Sequence, residues 1–301
     1  MIDLSQAHDE LRPLMFSIAY RMLGSVVEAE DVVQEAFLRI HRSSPEGVDN
    51  LDAYASTVTT RLAIDTLRSA RVRRERYVGP WLPEPILGPD DADPAHRVET
   101  DETVSTAFLV LLEALSPVER AVFVLREVLG YEYADITAVV EKSEANCRQI
   151  FVRAKKRVSE GRPRFEASRE ERDRLASEFL AAVSDGDLAG LERLLAEDVV
   201  FVGDGGGRAP AIQKPMTGAV AVARFLVGLM RRGEQLGVSL DLVEANGRPA
   251  LLTRDADGAL ISVMTMDANA GRIVALHNVL NPDKLGHLGP VGDLNALLGR
   301  G

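Results

Sequence analysis

Apolar residues recur at helical spacing through the first half of the chain and at alternate positions through much of its last third, so helices are predicted first and a sheet later. Leu11, Leu14, Met15, Ile18, Ala19 and Met22 define one face of a helix over Leu4–Leu23, which Gly24 and Ser25 stop. A second amphipathic helix is expected over Val27–His41. It turns Val32, Val33, Ala36, Phe37 and Ile40 inward and Glu28, Glu30, Asp31, Gln34 and Glu35 outward. After a turn-rich stretch at Ser43–Gly47, Asp49 or Asn50 can cap a third helix with a stripe of Leu51, Tyr54, Ala55, Val58 and Leu62. Gly79-Pro80 closes this first domain, residues 1–78, and the proline-rich, aperiodic residues 79–96 read as a linker.

A second helical domain is expected over residues 97–162. Ser116-Pro117-Val118-Glu119 joins an N-cap serine, a proline at the first helical position and a capping-box glutamate, starting a helix that runs to about Leu129. A short helix over Ala134–Val140, a turn at Glu141-Lys142 and a last helix capped by Ser143 and running to Arg157 make a helix-turn-helix pattern. Beyond Gly161 come helices over Glu171–Val183, Leu188–Leu195 and Ala219–Arg231, and a strand at Val199–Val202. Strands over Val238–Glu244, Ala250–Arg254, Leu260–Asp267 and Ile273–Leu280 are separated by Asn246-Gly247, Asp257-Gly258 and Ala270-Gly271, which predicts an antiparallel meander in an α+β domain, residues 170–285. Residues 286–301, rich in glycine and without periodicity, are expected to be a mobile tail.

Charge changes this picture more than composition does. The net charge is −11, yet six arginines fall between Arg61 and Arg76 and five basic residues between Arg148 and Arg157. Two local basic faces in an acidic chain point to phosphate contacts rather than to general attraction for nucleic acid. Arg61, Arg68, Arg71, Arg73 and Arg74, with Asp65, mark the first face. On the second, Ser143, Asn146, Arg148 and Gln149 sit early in the last helix, where side chains reach base edges, and Arg153 and Lys156 farther on, where they reach phosphates. The single cysteine, Cys147, excludes an internal disulfide, and the five histidines are dispersed, so no metal and no cofactor are expected. Neither a leader nor an apolar stretch of spanning length is evident, so no membrane partner and a cytoplasmic location are expected.

Ala29-Glu30-Asp31-Val32-Val33-Gln34-Glu35-Ala36-Phe37-Leu38 resembles the polymerase-binding helix of extracytoplasmic-function sigma factors. Arg61-Leu62-Ala63-Ile64-Asp65-Thr66-Leu67-Arg68 resembles that family's promoter-melting helix. Leu115–Arg120 and Arg153–Arg157 resemble its C-terminal DNA-binding domain. The chain departs from the family at Arg61, where many relatives have asparagine, and at Glu141, where glycine is common. Trp81-Leu82-Pro83-Glu84-Pro85, Asp204-Gly205-Gly206-Gly207-Arg208 and Asn281-Pro282-Asp283-Lys284-Leu285 resemble a subfamily with an appended SnoaL-like cone. The resemblance implies two all-α sigma domains plus an α+β cone.

It further implies docking of Asp31, Gln34, Glu35, Phe37 and Leu38 on the β′ and β subunits of the RNA polymerase core. Promoter DNA is read at its minus-ten and minus-thirty-five elements, with a flipped base held by the loop from Ser43 to Asn50. Control is internal, without a separate anti-sigma factor, through Trp81, Pro83, Asp204–Arg208 and Asn281–Leu285. Two rival readings are a ligand-sensing repressor and an enzyme in the cone, for which Asp241 and His277 are the candidate acid–base residues. The repressor reading leaves the N-terminal domain unexplained. A small apolar ligand in the cone is compatible with the sequence.

Overall fold

A computed structural model describes residues 4–43, 50–88, 104–161 and 167–299; the expected base pocket at Ser43–Asn50 and the expected helix start near Arg97 lie almost wholly outside them. The described chain forms two compact units, one from residues 4–76, 104 and 108–161, the other from residues 77–88, 105–107 and 167–299.

In the helical unit, α1 (Leu4–Leu23), α2 (Val26–Ser43) and α3 (Leu51–Arg74) pack on one another around Met15, Phe16, Ile18, Val33, Ala36, Ala63 and Leu67. Asn50 caps α3, its side chain accepting from the Ala53 amide at 3.0 Å. After α4 (Thr106–Leu112), α5 (Pro117–Phe123) starts with the complete capping box: Ser116 Oγ accepts from the Glu119 amide and Glu119 accepts from the Ser116 amide. The helix expected to run on to Leu129 changes at Val124–Val128 into a π-helical turn, in which the Leu129 amide reaches back to the Val124 carbonyl. Then α6 (Tyr133–Val140) and α7 (Glu144–Gly161) complete the helix-turn-helix, burying Ile136, Val139, Cys147, Ile150, Ala154 and Val158.

The second unit contains α8 (Arg169–Ser184), α9 (Leu188–Leu194), β1 (Leu195–Asp204), β2 (Met216–Thr217), α10 (Ala219–Gln235), β3 (Ser239–Ala245), β4 (Arg248–Arg254), β5 (Leu260–Asn269) and β6 (Arg272–Val279). The sheet order is β2-β1-β6-β5-β4-β3. The last four strands form the expected meander. Strand β1 is longer than its apolar core suggested, and it pairs parallel to β6, which alternation alone could not reveal. One face of the sheet meets α8, α9 and α10 in a core that includes Phe179, Leu191, Phe201, Leu226, Leu251, Met264 and Leu276.

Two expectations are corrected here. Residues 79–88, read as part of a linker between helical domains, belong to the sheet unit, as do Tyr77 and Val78, read as the end of the first domain; Leu82, Ile86 and Leu87 are buried. Leu87 pairs with Ala245 on the β3 edge, and the Gly88 amide donates to the Glu244 carbonyl at 2.8 Å. Proline supplies no backbone donor, so a Pro-rich segment can lie on a sheet edge without extending it. Residues 286–299 are likewise seated rather than loose. They hold a 3₁₀ turn (Gly286–Leu288), a bridge from Val291 to Leu260 and α11 (Leu294–Leu297), whose N-cap is Asp293. Pieces this short carry no period to read.

The β3–β4 turn places Asn246 and Gly247 at φ 53° and 67°, and the β5–β6 turn places Ala270 and Gly271 at 49° and 74°. The left-handed region suits asparagine and costs alanine about 1 kcal/mol. Ala270→Asn should therefore stabilise the sheet unit by about 0.5–1 kcal/mol, measured by urea denaturation of the full chain; a loss of stability would contradict this account of the turn.

Candidate functional site

On α2 the acidic stripe stands clear of the core. Asp31, Gln34 and Leu38 are exposed, Leu38 to 50%, while Glu35 and Phe37 are half-buried. Phe37 stacks on His8 with ring centroids 4.2 Å apart, and Glu35 pairs with Arg39 at 2.7 Å. Gln34, Phe37 and Leu38, with Leu11 and Leu51, border a groove of about 590 Å³. An acidic rim beside an apolar groove suits a partner that presents basic and apolar side chains together.

The arginines of α3 are already occupied. Arg61 donates from Nη2 to the Ala138 carbonyl at 2.7 Å and from Nε to the Val139 carbonyl at 3.2 Å, and it lies 3.2 Å from the Glu141 carboxylate. It thus caps the negative end of α6. Glu141 adopts φ 53°, the left-handed backbone for which glycine is suited. The two positions that depart from the family pattern therefore meet at the end of α6. Asp65 and Arg68 pair at 2.7 Å, Arg71 donates to the Leu115 carbonyl at 3.0 Å, Arg73 pairs with Glu28, and Arg74 with Glu113.

On α7, Cys147, Ile150, Ala154 and Val158 face inward, leaving Asn146, Arg148, Gln149, Arg153 and Lys156 exposed, with Ser143 at the cap. Arg148 pairs with Glu144 and lies 4.5 Å over the Tyr133 ring, which also receives Arg126 at 4.9 Å. Lys156 lies 3.9 Å from Glu160. Burial pushes the Cys147 thiol up, so the residue stays a small uncharged filler.

In the sheet unit, the three motifs far apart in sequence converge on Asp204, which is fully buried. Its Oδ2 accepts from the Leu82 amide at 2.7 Å and from Lys284 Nζ at 2.6 Å, and its Oδ1 accepts from the Tyr77 hydroxyl at 2.6 Å. Asn281 Nδ2 donates to the same hydroxyl at 2.8 Å. Lys284 also donates to the Leu82 carbonyl and lies 4.1 Å over the Trp81 ring. Burial first, and then the Asp204 carboxylate, push the Tyr77 phenol well up, so it remains a donor. A Cβ on Gly206 would stand 2.7 Å from the Tyr77 oxygen, which leaves only glycine at that place. Arg208 pairs with Asp283 at 3.3 Å, Pro83 and Leu285 are buried, and Pro282 starts the short 3₁₀ turn Pro282–Lys284.

Between the sheet and α10 lies a cavity of about 810 Å³, whose lining contains no aspartate, glutamate or histidine among the described residues. The two acid–base candidates do not reach it. Leu240 and Asn278 line the cavity, so by strand alternation their neighbours Asp241 and His277 face away. Asp241 lies 3.9 Å from Arg254, and His277 Nδ1 lies 3.3 Å from Asp267.

The family models for Sigma-70 region 2 and Sigma-70 region 4 match residues 8–73 and 105–158. The chain is 36% identical to the ECF RNA polymerase sigma factor SigJ of Mycobacterium tuberculosis over 92% of its own length and 91% of that protein's. It belongs to the extracytoplasmic-function RNA polymerase sigma factors. A probable sigma factor of the same organism, SigI, is 32% identical over 91% of this chain and 92% of that one. The crystal structure of M. tuberculosis SigJ superposes with a TM-score of 0.78, covering 95% of this chain and 99% of the other at 32% identity. The extent of that overlap includes the sheet unit, so the two sigma domains with an appended α+β domain are a shared architecture.

As a sigma factor the protein associates with the RNA polymerase core and promoter DNA to direct transcription initiation. Its region 2 corresponds to α1–α3 and its region 4 to the helix-turn-helix. None of its described helices is long and apolar enough to cross a membrane. Sequence reasoning missed Tyr77, Tyr133 and Glu113. Tyr77 adjoins the Trp81 motif and Tyr133 sits at the start of a helix, so proximity was the available signal for both; nothing in the sequence marks Glu113.

Glu113 ties the two sigma regions together, accepting from Arg74 at 2.5 Å and pairing with the buried Arg120, which in turn donates to the Arg21 carbonyl at 3.0 Å. Burial alone would raise the Glu113 carboxyl, but Arg120 and Arg74 outweigh it and hold the group below its ordinary 4.5. A carboxyl depressed by folding contributes stability that is complete above the unfolded value and lost as pH falls through the folded one. Glu113→Gln should cost about 3 kcal/mol near neutral pH, and the gap from wild type should narrow below pH 4.5. Urea titrations of both chains at neutral and acid pH read this directly; a gap independent of pH would contradict it.

Proposed function

We propose that this sigma factor is controlled in cis by its sheet unit, which acts through the linker. The observation that carries the reading is the Asp204 carboxylate, which accepts from the Leu82 amide and the Tyr77 hydroxyl while pairing with Lys284. Residues 77–88 follow directly on α3, and the linker they begin is the covalent path to region 4. Anchoring them on the sheet unit shortens the free tether between the regions and so sets their reach toward the two promoter elements. A separate anti-sigma factor is then dispensable, and the protein works in the cytoplasm beside polymerase.

In this reading Asp31, Gln34, Glu35, Phe37 and Leu38 dock on the β′ and β subunits. Arg61, Asp65, Arg68, Arg71, Arg73 and Arg74 face the minus-ten region. Arg61, Arg71 and Arg74 hold internal acceptors, and these contacts must open before their donors can meet phosphate. Ser143, Asn146, Arg148 and Gln149 read bases at the minus-thirty-five element, while Arg153 and Lys156 clamp its backbone. In this reading the sheet unit serves as a regulator; the lining of its cavity includes no carboxylate or imidazole among the described residues.

Run-off transcription with core polymerase tests the regulation. Tyr77→Phe removes only the hydroxyl, and with it the bond to Asp204 and the one from Asn281, and it should alter run-off yield by about fivefold or more relative to wild type, the effect of about 1 kcal/mol. Equal yields from two folded chains would reject control through Asp204. On a panel of promoter variants, Arg148→Ala should weaken and relax minus-thirty-five preference, whereas Lys156→Ala should weaken binding to all sequences alike. Uniform losses for both would sink the division into readers and clamps.

A further inference from the structure

The cavity of the sheet unit has the volume of a drug-sized ligand site, within the usual ~300–1,000 Å³. Phe201, Phe225, Leu240, Leu251 and Met264 give it apolar walls. Asn278 stands on its sheet floor, between Met264 on β5 and Gly203 on β1. It is only 5% exposed, and its Oδ1 accepts no hydrogen bond. Native interiors rarely leave a buried amide oxygen unmet. The hydroxyl-bearing residues Thr253 and Ser262 share this lining.

The charge around the cavity narrows the choice. Its two arginines, Arg208 and Arg232, are engaged with Asp283 and with the Leu298 carbonyl, at 3.3 and 3.4 Å. Leu294 and Leu298 form part of the wall, and Asn295 Nδ2 ties this segment to the Arg208 carbonyl at 2.7 Å. The C-terminal helix α11 is thus a side of the cavity, fastened to the loop that begins at Asp204.

We propose that this cavity binds a neutral, largely apolar small molecule that donates a hydrogen bond to Asn278 Oδ1, with α11 closing over it. The proposal stands on the cavity alone and is tested without polymerase or DNA, so its failure and the failure of control through the linker are separate results.

The probe is N-phenyl-1-naphthylamine, a neutral diarylamine with one N–H donor whose fluorescence rises on leaving water, titrated into the full chain. Saturable binding of one molecule per chain is expected. Asn278→Leu keeps the side-chain volume and removes the acceptor, and it should weaken binding by about fivefold. Thr253→Phe fills the cavity and should abolish binding while the melting temperature is kept. The anionic analogue 8-anilinonaphthalene-1-sulfonate should bind more weakly than the neutral amine. Non-saturable binding, equal affinity in both variants, or preference for the anion would overturn the proposal. Should either variant fail to fold, hydrogen exchange of the wild type with the amine decides. Added protection over residues 251–264 and 278–298 supports the site, and protection elsewhere or none refutes it.

Discussion

A carboxylate taken out of water has to be met by donors at close range, and the sheet unit is arranged around that requirement at Asp204. Its partners arrive from a backbone amide at Leu82, a phenol at Tyr77 and an ammonium at Lys284. Tyr77 and Leu82 belong to the stretch after α3, Asp204 to the end of β1 and Lys284 to the segment after β6. Removing any one would leave charge or hydrogen-bonding capacity stranded in a dry place, so the three stretches are held together more strictly than apolar contact could hold them. The aromatic rings of Trp81 and Tyr77 add a face to the Lys284 charge, at 4.1 and 4.9 Å. Burial of this kind contributes little net stability and much discrimination, because alternative registers of the linker would leave the acid unmet.

The helical unit uses its cations differently. Arg61 and Arg71 are spent on main-chain carbonyls, and Arg74 and Arg120 share Glu113. A carbonyl is a weaker lure for guanidinium than phosphate, so half-exposed arginines held by carbonyls are restrained and still available, whereas Arg120 at 1% exposure is structural. The same residue type therefore does two jobs within one basic cluster, and burial separates them.

Local chemistry was legible in the sequence. The Ser116–Glu119 box, the Ser143 cap and the Asn246-Gly247 turn each depend on neighbours within four residues and form as read, and of the two caps offered for α3 Asn50 is the one that bonds. Long-range choices were not legible. The parallel pairing of β1 with β6, the edge pairing of Leu87 with Ala245, and the Tyr77–Asp204 bond across 127 residues require knowing which surfaces meet, and periodicity is silent on that. For the same reason the motifs at Trp81, Asp204 and Asn281 could be named from resemblance while their common centre could not. Asp241 and His277 were offered as acid–base candidates because both lie on strands; strand parity then placed them on the face away from the cavity.

The edge contact of residues 86–88 with β3 bears on how such chains can be recombined. A sheet that has lent its margin and its buried acid to a particular stretch of upstream chain does not end where its first helix begins. Chimeras cut at residue 167 would pair one parent's Asp204 with another's Tyr77 and Leu82, and would offer the β3 margin to an unfamiliar segment. The inherited module is the sheet unit together with the stretch that follows α3, discontinuous in sequence and single in physical terms.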